Sequence, residues 1–137
     1  MSDLTAAKSW TVTGDVAPTG RVSFRTVGEP GIDIGTVSPI EQLLGAVCSC
    51  FGQTCLALMQ FHGLAPVGLR VVCHGHKPAG SLVGKGLDQL RLDISFAGSL
   101  NGREPRIIDD AKKLCTVTNS LSKDIAVSVA LTDGIAA

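Results

Sequence analysis

Residues 38–63 read SPIEQLLGAVCSCFGQTCLALMQFHG, and this stretch decides the fold. Its opening, Ser38, Pro39 and Glu41, predicts a helix start with an N-cap, a proline at the first helical position and a capping-box acid. The glycine that closes it is a typical residue for a helix end. From Gln42 to Leu69 the chain has no Asp, Glu, Lys or Arg. We therefore predict a long helix that is apolar and buried all round, as in a helix shared with a second subunit.

The composition of the chain excludes several classes of protein. Its 137 residues favour a single domain, residues 1–137, and with aromatics at only 4% the core must be aliphatic. Twelve basic residues balance twelve acidic ones, so no basic stripe predicts binding to nucleic acid. The N-terminus lacks the apolar core of a secretory signal, so we expect a cytoplasmic protein with reduced thiols. Polar residues interrupt the uncharged segment, which favours a buried helix over a membrane span.

Residue alternation and turn residues outline the other elements. Strands are predicted at residues 10–14, 21–27, 32–37, 68–74, 90–97 and 125–131. A glycine-rich stretch, residues 80–86, separates the fourth strand from the fifth. The order is βββ-α-ββ-α-β, an α+β fold with a mostly antiparallel sheet.

A second helix is predicted to begin near Pro105. Its apolar face comprises Ile107, Ile108, Ala111, Leu114 and Cys115. The next three residues, Thr-Val-Thr, have poor helix propensity, so we expect a bend or break just after Cys115.

Thiols are the chemically active groups that the sequence places in the core. The chain has five cysteines, at positions 48, 50, 55, 73 and 115. A reactive cysteine needs a stabilised thiolate, access for the oxidant and a partner that resolves the sulfenic acid. Cys48 and Cys50 lie about 200° apart around a helix axis, so they cannot share a pocket. Unbridged cysteine is also among the most buried residue types, so each of the helical thiols has packing as its alternative role.

Two segments resemble the OsmC/Ohr family, named for osmotically inducible protein C and organic hydroperoxide resistance protein. Residues 38–51, SPIEQLLGAVCSCF, are similar to the family's first-cysteine helix. Residues 115–121, CTVTNSL, are similar to its second-cysteine segment, usually Cys-Pro-x-Ser-Asn-Ser. The separation of Cys50 from Cys115 and the predicted order of elements also suit the family. The resemblance extends from about Thr11 to Thr132.

The resemblance implies a fold, an assembly and a chemistry. The fold would be an intertwined homodimer with central helices and with active sites at the subunit interface. Cys50 would be the peroxidatic thiolate that reduces an organic hydroperoxide and becomes a sulfenic acid. Cys115 would resolve it as a Cys50–Cys115 disulfide, which an external dithiol, such as a dihydrolipoyl group, would reduce. No metal or bound organic cofactor is implied.

The sequence departs from the family pattern around the acid and the arginine that assist the thiolate. In the best-understood branches Glu directly follows the Pro, whereas here Ile40 intervenes before Glu41. Glu41 is therefore either a capping-box residue or an acid that serves Cys50 of the partner subunit. Arg21 and Arg25 share one side of a predicted strand, and Arg25 is the favoured partner of Cys50.

Two other functions remain open at this level. Cys73, His74 and His76 motivate a metal-binding protein, because the two histidines would share one face of a strand. The uncharged helix could instead line a cleft that binds a small apolar ligand without turnover.

Overall fold

The structure, a computed structural model, describes residues 6–26, 29–32, 37–80 and 86–132. The strands are β1 (Lys8–Val16), β2 (Val22–Thr26), β3 (Glu29–Ile32), β4 (Leu69–Lys77), β5 (Gln89–Phe96) and β6 (Ala126–Leu131). The helices are α1 (Pro39–Phe61), α2 (Glu104–Leu114) and α3 (Thr116–Asn119). The α+β class and the predicted order are confirmed, with one short extra helix. Most of the predicted strand at 32–37 and of the glycine-rich stretch lies outside the described residues.

All six strands form one sheet in the order β3-β2-β1-β4-β5-β6. Neighbouring strands are antiparallel except for β5 and β6, which are parallel, so the predicted mostly antiparallel sheet is confirmed. Helix α1 packs across β1 and β4, and we call the face that it covers the inner face. Val12, Gly14 and Val16 of β1 are buried on this face. Because side chains alternate along a strand, Thr13 and Asp15 lie on the opposite, outer face.

Both ends of α1 form as the sequence predicts. The Ser38 hydroxyl accepts a hydrogen bond from the Glu41 backbone N–H at 3.3 Å, and the Glu41 carboxylate accepts one from the Ser38 N–H at 3.4 Å. At the other end Gly63 has φ +70° and its N–H donates to the Gln60 carbonyl. The Leu64 N–H donates to the Met59 carbonyl at 2.8 Å, which completes a Schellman motif. Local chemistry alone therefore sets the length of this helix.

Two glycines let α1 approach the sheet closely. A Cβ atom on Gly52 would lie 2.4 Å from a Val16 methyl carbon, and one on Gly14 would lie 2.8 Å from Cys48 Cβ. Real Cβ atoms do not approach neighbours so closely. The backbones of α1 and β1 therefore approach each other closely at these two glycines, and Cys48 packs directly against β1.

One face of α1 remains uncovered in the single chain, so the expected burial all round would require the second subunit. This uncovered stripe consists of residues that recur every three or four positions along α1, and most of them are exposed: Gln42, Ala46, Ser49, Gln53, Ala57 and Gln60. By length and composition α1 could cross a membrane, yet 56% of its apolar window is buried within the fold. That burial is typical of a core helix in a folded domain.

The second helix departs from its prediction at the C-terminal end. Ile107, Ile108 and Ala111 are buried as predicted, but Leu114 is 59% exposed. The helical period places Leu114 on the apolar face, but it is the last residue of α2 and it projects past the core. The break comes at Cys115 itself, which has an extended ψ of 109° and links α2 to α3.

Candidate active site

Cys50 lies near the middle of α1, at the edge of the uncovered stripe. Its side chain is half-buried, whereas the neighbouring Cys48 and Phe51 are fully buried. The Cys50 carbonyl accepts a second hydrogen bond, from the Thr54 hydroxyl at 2.7 Å. Among the five cysteines, Cys50 is the one with partial access to solvent.

Cys115 reaches Cys50 because the chain breaks at that residue. The extended backbone of Cys115 turns its buried thiol toward α1, where it lies close enough to the Cys50 thiol for the two to interact. Burial raises the pKa of the Cys115 thiol, hydrogen bonding from Thr118 opposes that rise, and the contact with Cys50 adds to it. The raised pKa favours the protonated form of the Cys115 thiol. The two cysteines that the sequence singled out are brought together.

Thr118 is a site residue that the sequence analysis missed. Its hydroxyl donates to the Cys115 carbonyl at 3.2 Å, and hydrogen bonds from Thr118 lower the pKa of the Cys115 thiol. A Thr three residues after a helix-breaking position is a usual source of such local bonds. That spacing is the signal that could have found it.

Cys55 adds a third thiol near this pair. Burial, and then the proximity of Cys115, raises the pKa of the Cys55 thiol from 9.0 to about 12. Cys55 is fully buried, so it remains a neutral core residue at physiological pH.

The other two cysteines form a separate pair on the opposite side of α1. The Cys48 thiol donates toward the carbonyls of Val12 and Val71, at 3.6 and 3.4 Å. A hydrogen bond with Cys48, together with burial, raises the pKa of the Cys73 thiol. Both side chains are fully buried between α1 and the sheet. This pair is insulated from Cys50, as the 200° separation of positions 48 and 50 predicts.

Glu41 sits in the capping box at the start of α1. In addition to the backbone bonds, its carboxylate accepts a hydrogen bond from the Ser38 hydroxyl at 2.7 Å. Nine residues separate it from Cys50 along the same helix. Within one chain the structure gives Glu41 a capping role, and its service to a partner subunit's thiol stays a prediction.

The two arginines are placed away from Cys50 of their own chain. Arg25 pairs with Thr13 in the sheet register, so it lies on the outer face, opposite α1. Its guanidinium donates to Asp15 at 2.8 Å, and Arg70 donates to the other oxygen of Asp15 at 2.7 Å. Arg21 is exposed and lines a shallow cavity beside Asp15. Within one chain neither arginine is placed at Cys50, so the assistance of Arg25 or Arg21 to this thiol stays a prediction.

The proposed metal ligands do not converge as a trio. Cys73 is buried on the inner face against α1, while His74 and His76 lie on the outer face and pair with Asp93 and Asp88. Alternation along β4 separates the thiol from the imidazoles. A metal site built from all three residues is therefore wrong. Across residues 6–26, 29–32, 37–80 and 86–132, no three His, Cys, Asp or Glu side chains are grouped to hold a metal ion.

Comparison with known proteins gives the family. The family model described as OsmC-like protein matches residues 31–130, which include both Cys50 and Cys115. The chain belongs to the OsmC-like protein family. No functionally curated sequence matches it at a significant level.

Solved structures share the OsmC-like fold at low sequence identity. An OsmC-like hydroperoxide resistance protein from Jannaschia is 16% identical with a TM-score of 0.64, over 84% of this chain and 86% of that one. The organic hydroperoxide resistance protein of Elizabethkingia anophelis is 13% identical with a TM-score of 0.62, over 98% and 100%. OhrB of Bacillus subtilis, an organic hydroperoxide resistance protein, is 14% identical with a TM-score of 0.61, over 95% and 100%. At these low sequence identities, the structural similarity establishes the fold alone.

Proposed function

We propose that this OsmC-like protein is a thiol peroxidase that reduces organic hydroperoxides through Cys50 and Cys115. The observation that carries the proposal is the contact between a half-buried thiol and a fully buried one that come from distant parts of the chain. The similarity to proteins named for hydroperoxide resistance supports the substrate class.

The chemistry proceeds in three steps. The Cys50 thiolate attacks the terminal oxygen of the hydroperoxide, so that an S–O bond forms, the O–O bond breaks and the alkoxide leaves as an alcohol after taking a proton. The Cys115 sulfur then attacks the Cys50 sulfenic acid, which forms the disulfide and releases water. An external dithiol, such as a dihydrolipoyl group, reduces the disulfide by two exchange steps and restores both thiols.

The environments of the two thiols support this division of roles. The peroxidatic sulfur must meet the oxidant, and Cys50 has the partial access that this requires. The resolving sulfur must lie close by, and Cys115 is held beside Cys50 at the α2–α3 break. A protonated Cys115 stabilises a thiolate on Cys50 by donating a hydrogen bond to it.

We infer that the active form is a homodimer in the cytoplasm. The uncovered stripe on α1 carries small and amide side chains without charge, and Cys50 borders it. A second copy packed on this stripe would bury both α1 helices and enclose Cys50 at the interface. A cation that serves the thiolate would then come from the second copy, since Arg21 and Arg25 face away within one chain.

The test is the fate of each thiol after one equivalent of cumene hydroperoxide, followed by mass spectrometry. We expect rapid formation of a Cys50–Cys115 disulfide in the wild type and none in Cys50→Ser. Cys48→Ser is the matched control, because a serine hydroxyl can donate to the same carbonyls that Cys48 contacts. Inert thiols, or oxidation spread over all five cysteines, would contradict the proposal.

A further inference from the structure

A second polar cluster lies on the outer face of the sheet, away from all five thiols. It contains His74 and His76 of β4 with their carboxylate partners Asp93 and Asp88. We propose that the two imidazoles bind a divalent first-row transition metal ion, such as zinc, copper or nickel, at an open site. This inference does not depend on the proposed peroxidase function.

The position of the two histidines suits a shared ligand. They are two residues apart on β4, so both rings project from the same face of the sheet. Both side chains are partly accessible, at 31% and 39% of their surface. Both rings line a cavity of about 460 Å³ that is also bordered by Thr11 of β1 and by the cationic Arg91 of β5, which pairs with Asp93 at 3.5 Å. An ion in this cavity could reach both rings.

The carboxylates prepare the rings for metal binding. Asp93 lies 3.0 Å from Nε2 of His74, and Asp88 lies 2.7 Å from Nδ1 of His76. A carboxylate accepts a hydrogen bond from a ring N–H, so it fixes the tautomer and leaves a lone pair on the other nitrogen. Metal-binding histidines in proteins regularly carry such an outer carboxylate. The nitrogens that do not face a carboxylate are Nδ1 of His74 and Nε2 of His76.

A hydroxyl already occupies one of these lone pairs. The Thr11 hydroxyl lies 3.1 Å from Nδ1 of His74, where it can act as the donor. When a metal takes that nitrogen, the hydroxyl can turn to bond a metal-bound water, since its hydrogen rotates freely. Thr11 therefore acts as a positioning residue for the water.

The ligand set indicates the class of ion and the strength of binding. Two neutral imidazoles suit zinc, copper and nickel, whereas calcium and magnesium prefer oxygen ligands. Asp93 and Asp88 are engaged with the rings, and the described part of the chain brings no three His, Cys, Asp or Glu side chains together as metal ligands. Water must fill the remaining positions, so we expect an exchangeable ion rather than a structural one.

The experiment is a titration with Co²⁺ alone, followed by visible absorption, in the Cys50→Ser variant, which lacks the one accessible thiol. We expect saturation at one ion per chain, with the d–d bands of nitrogen and oxygen ligands and no thiolate charge-transfer band. Excess Zn²⁺ should displace the Co²⁺ and remove the bands.

Two variants and one control make the assignment specific. His76→Gln removes a ligand and should weaken binding more than tenfold, and Asp88→Asn should weaken it about 10- to 100-fold because it removes an outer carboxylate. Cys73→Ser, on the inner face of the same strand, should leave affinity unchanged. Circular dichroism checks the fold of each variant. Absence of saturable bands, or equal affinity in His76→Gln and its parent, would overturn the proposal.

Discussion

The thiol of Cys115 lies beside that of Cys50, although the two residues are far apart in the sequence. The contact depends on a change of backbone direction at Cys115, which ends α2 and begins α3. If α2 continued as a regular helix through Cys115, the direction of this thiol would follow α2 and would not turn toward α1. The helix break therefore positions the Cys115 thiol in the candidate site.

Removing the resolving thiol should stop the reaction at its first intermediate. In Cys115→Ser, a hydroperoxide should still oxidise Cys50, and the sulfenic acid should persist because the resolving sulfur is gone and the nearby Cys55 thiol is buried and stays protonated. Trapping with dimedone and mass spectrometry would detect the adduct on Cys50. Cys73→Ser should give the disulfide and no adduct, and an unmodified Cys50 in Cys115→Ser would contradict the assigned roles.

The close approach of α1 to β1 should make Gly52 intolerant of even one methyl group. Gly52→Ala places its Cβ against Val16, which is rigid and buried. We expect a net loss of about 1–2 kcal/mol in the free energy of unfolding, since overpacking outweighs the better helix propensity of alanine. Urea unfolding measures this value. Adding Val16→Ala should recover part of the loss, and strict additivity of the two changes would argue against the contact.

The outer-face position of Arg25 predicts a small effect on catalysis. Arg25→Gln breaks a partly exposed ion pair with Asp15, which should change stability by less than about 1 kcal/mol. Stopped-flow measurement of peroxide consumption should show an unchanged rate of Cys50 oxidation. Asp15→Asn disrupts the same pair and serves as the comparison. A rate that falls in Arg25→Gln alone would place this arginine at the thiol of a second copy.

Buried thiols should make the fold sensitive to alkaline pH. Burial raises the pKa of the Cys55 thiol from 9.0 to about 12, so the unfolded chain loses this proton before the folded chain does. The resulting stability is complete below pH 9 and is lost as pH rises toward 12, by up to about 1.4 kcal/mol per pH unit. Unfolding at pH 7 and pH 10 would measure the loss. Cys55→Ala should make this dependence shallower, while the raised pKa values of Cys73 and Cys115 maintain the rest, and an equal slope in both proteins would refute the assignment.

A charge on the uncovered stripe should separate the subunits of the proposed dimer. Ala57 is exposed in the single chain, so Ala57→Glu should leave the fold of each subunit intact. Light scattering after size-exclusion chromatography should show a dimer for the wild type and a monomer for this variant. Lys123→Glu changes charge at an exposed loop and should remain dimeric. A monomeric wild type would remove the basis for the interface.

Local chemistry allowed some features of the molecule to be predicted, and long-range packing determined the others. The start of α1 followed from Ser38 and Glu41 because a capping box involves neighbouring residues only. The face occupied by Arg25 depends on which side of the sheet α1 covers, and no local pattern encodes that choice. Leu114 follows the helical period but lies beyond the end of the surface that α2 buries.

The thiol pairs show the same distinction. The family resemblance predicted the pairing of Cys50 with Cys115. The contact between Cys48 and Cys73 depends on the packing of α1 on β4, so their roles could not be assigned from sequence. His74 and His76 share a face as alternation predicts, but their carboxylate partners come from chain segments whose register only the fold reveals.

The burial of the cysteines determines which thiol a chemical reagent, as well as a peroxide, can reach. Four of the five sulfurs are sealed within the fold, and only Cys50 borders the surface. A small electrophile that meets the folded monomer therefore finds a single target. An alkylating label or a covalent inhibitor can be directed to one atom of the candidate site without any cysteine having to be removed first.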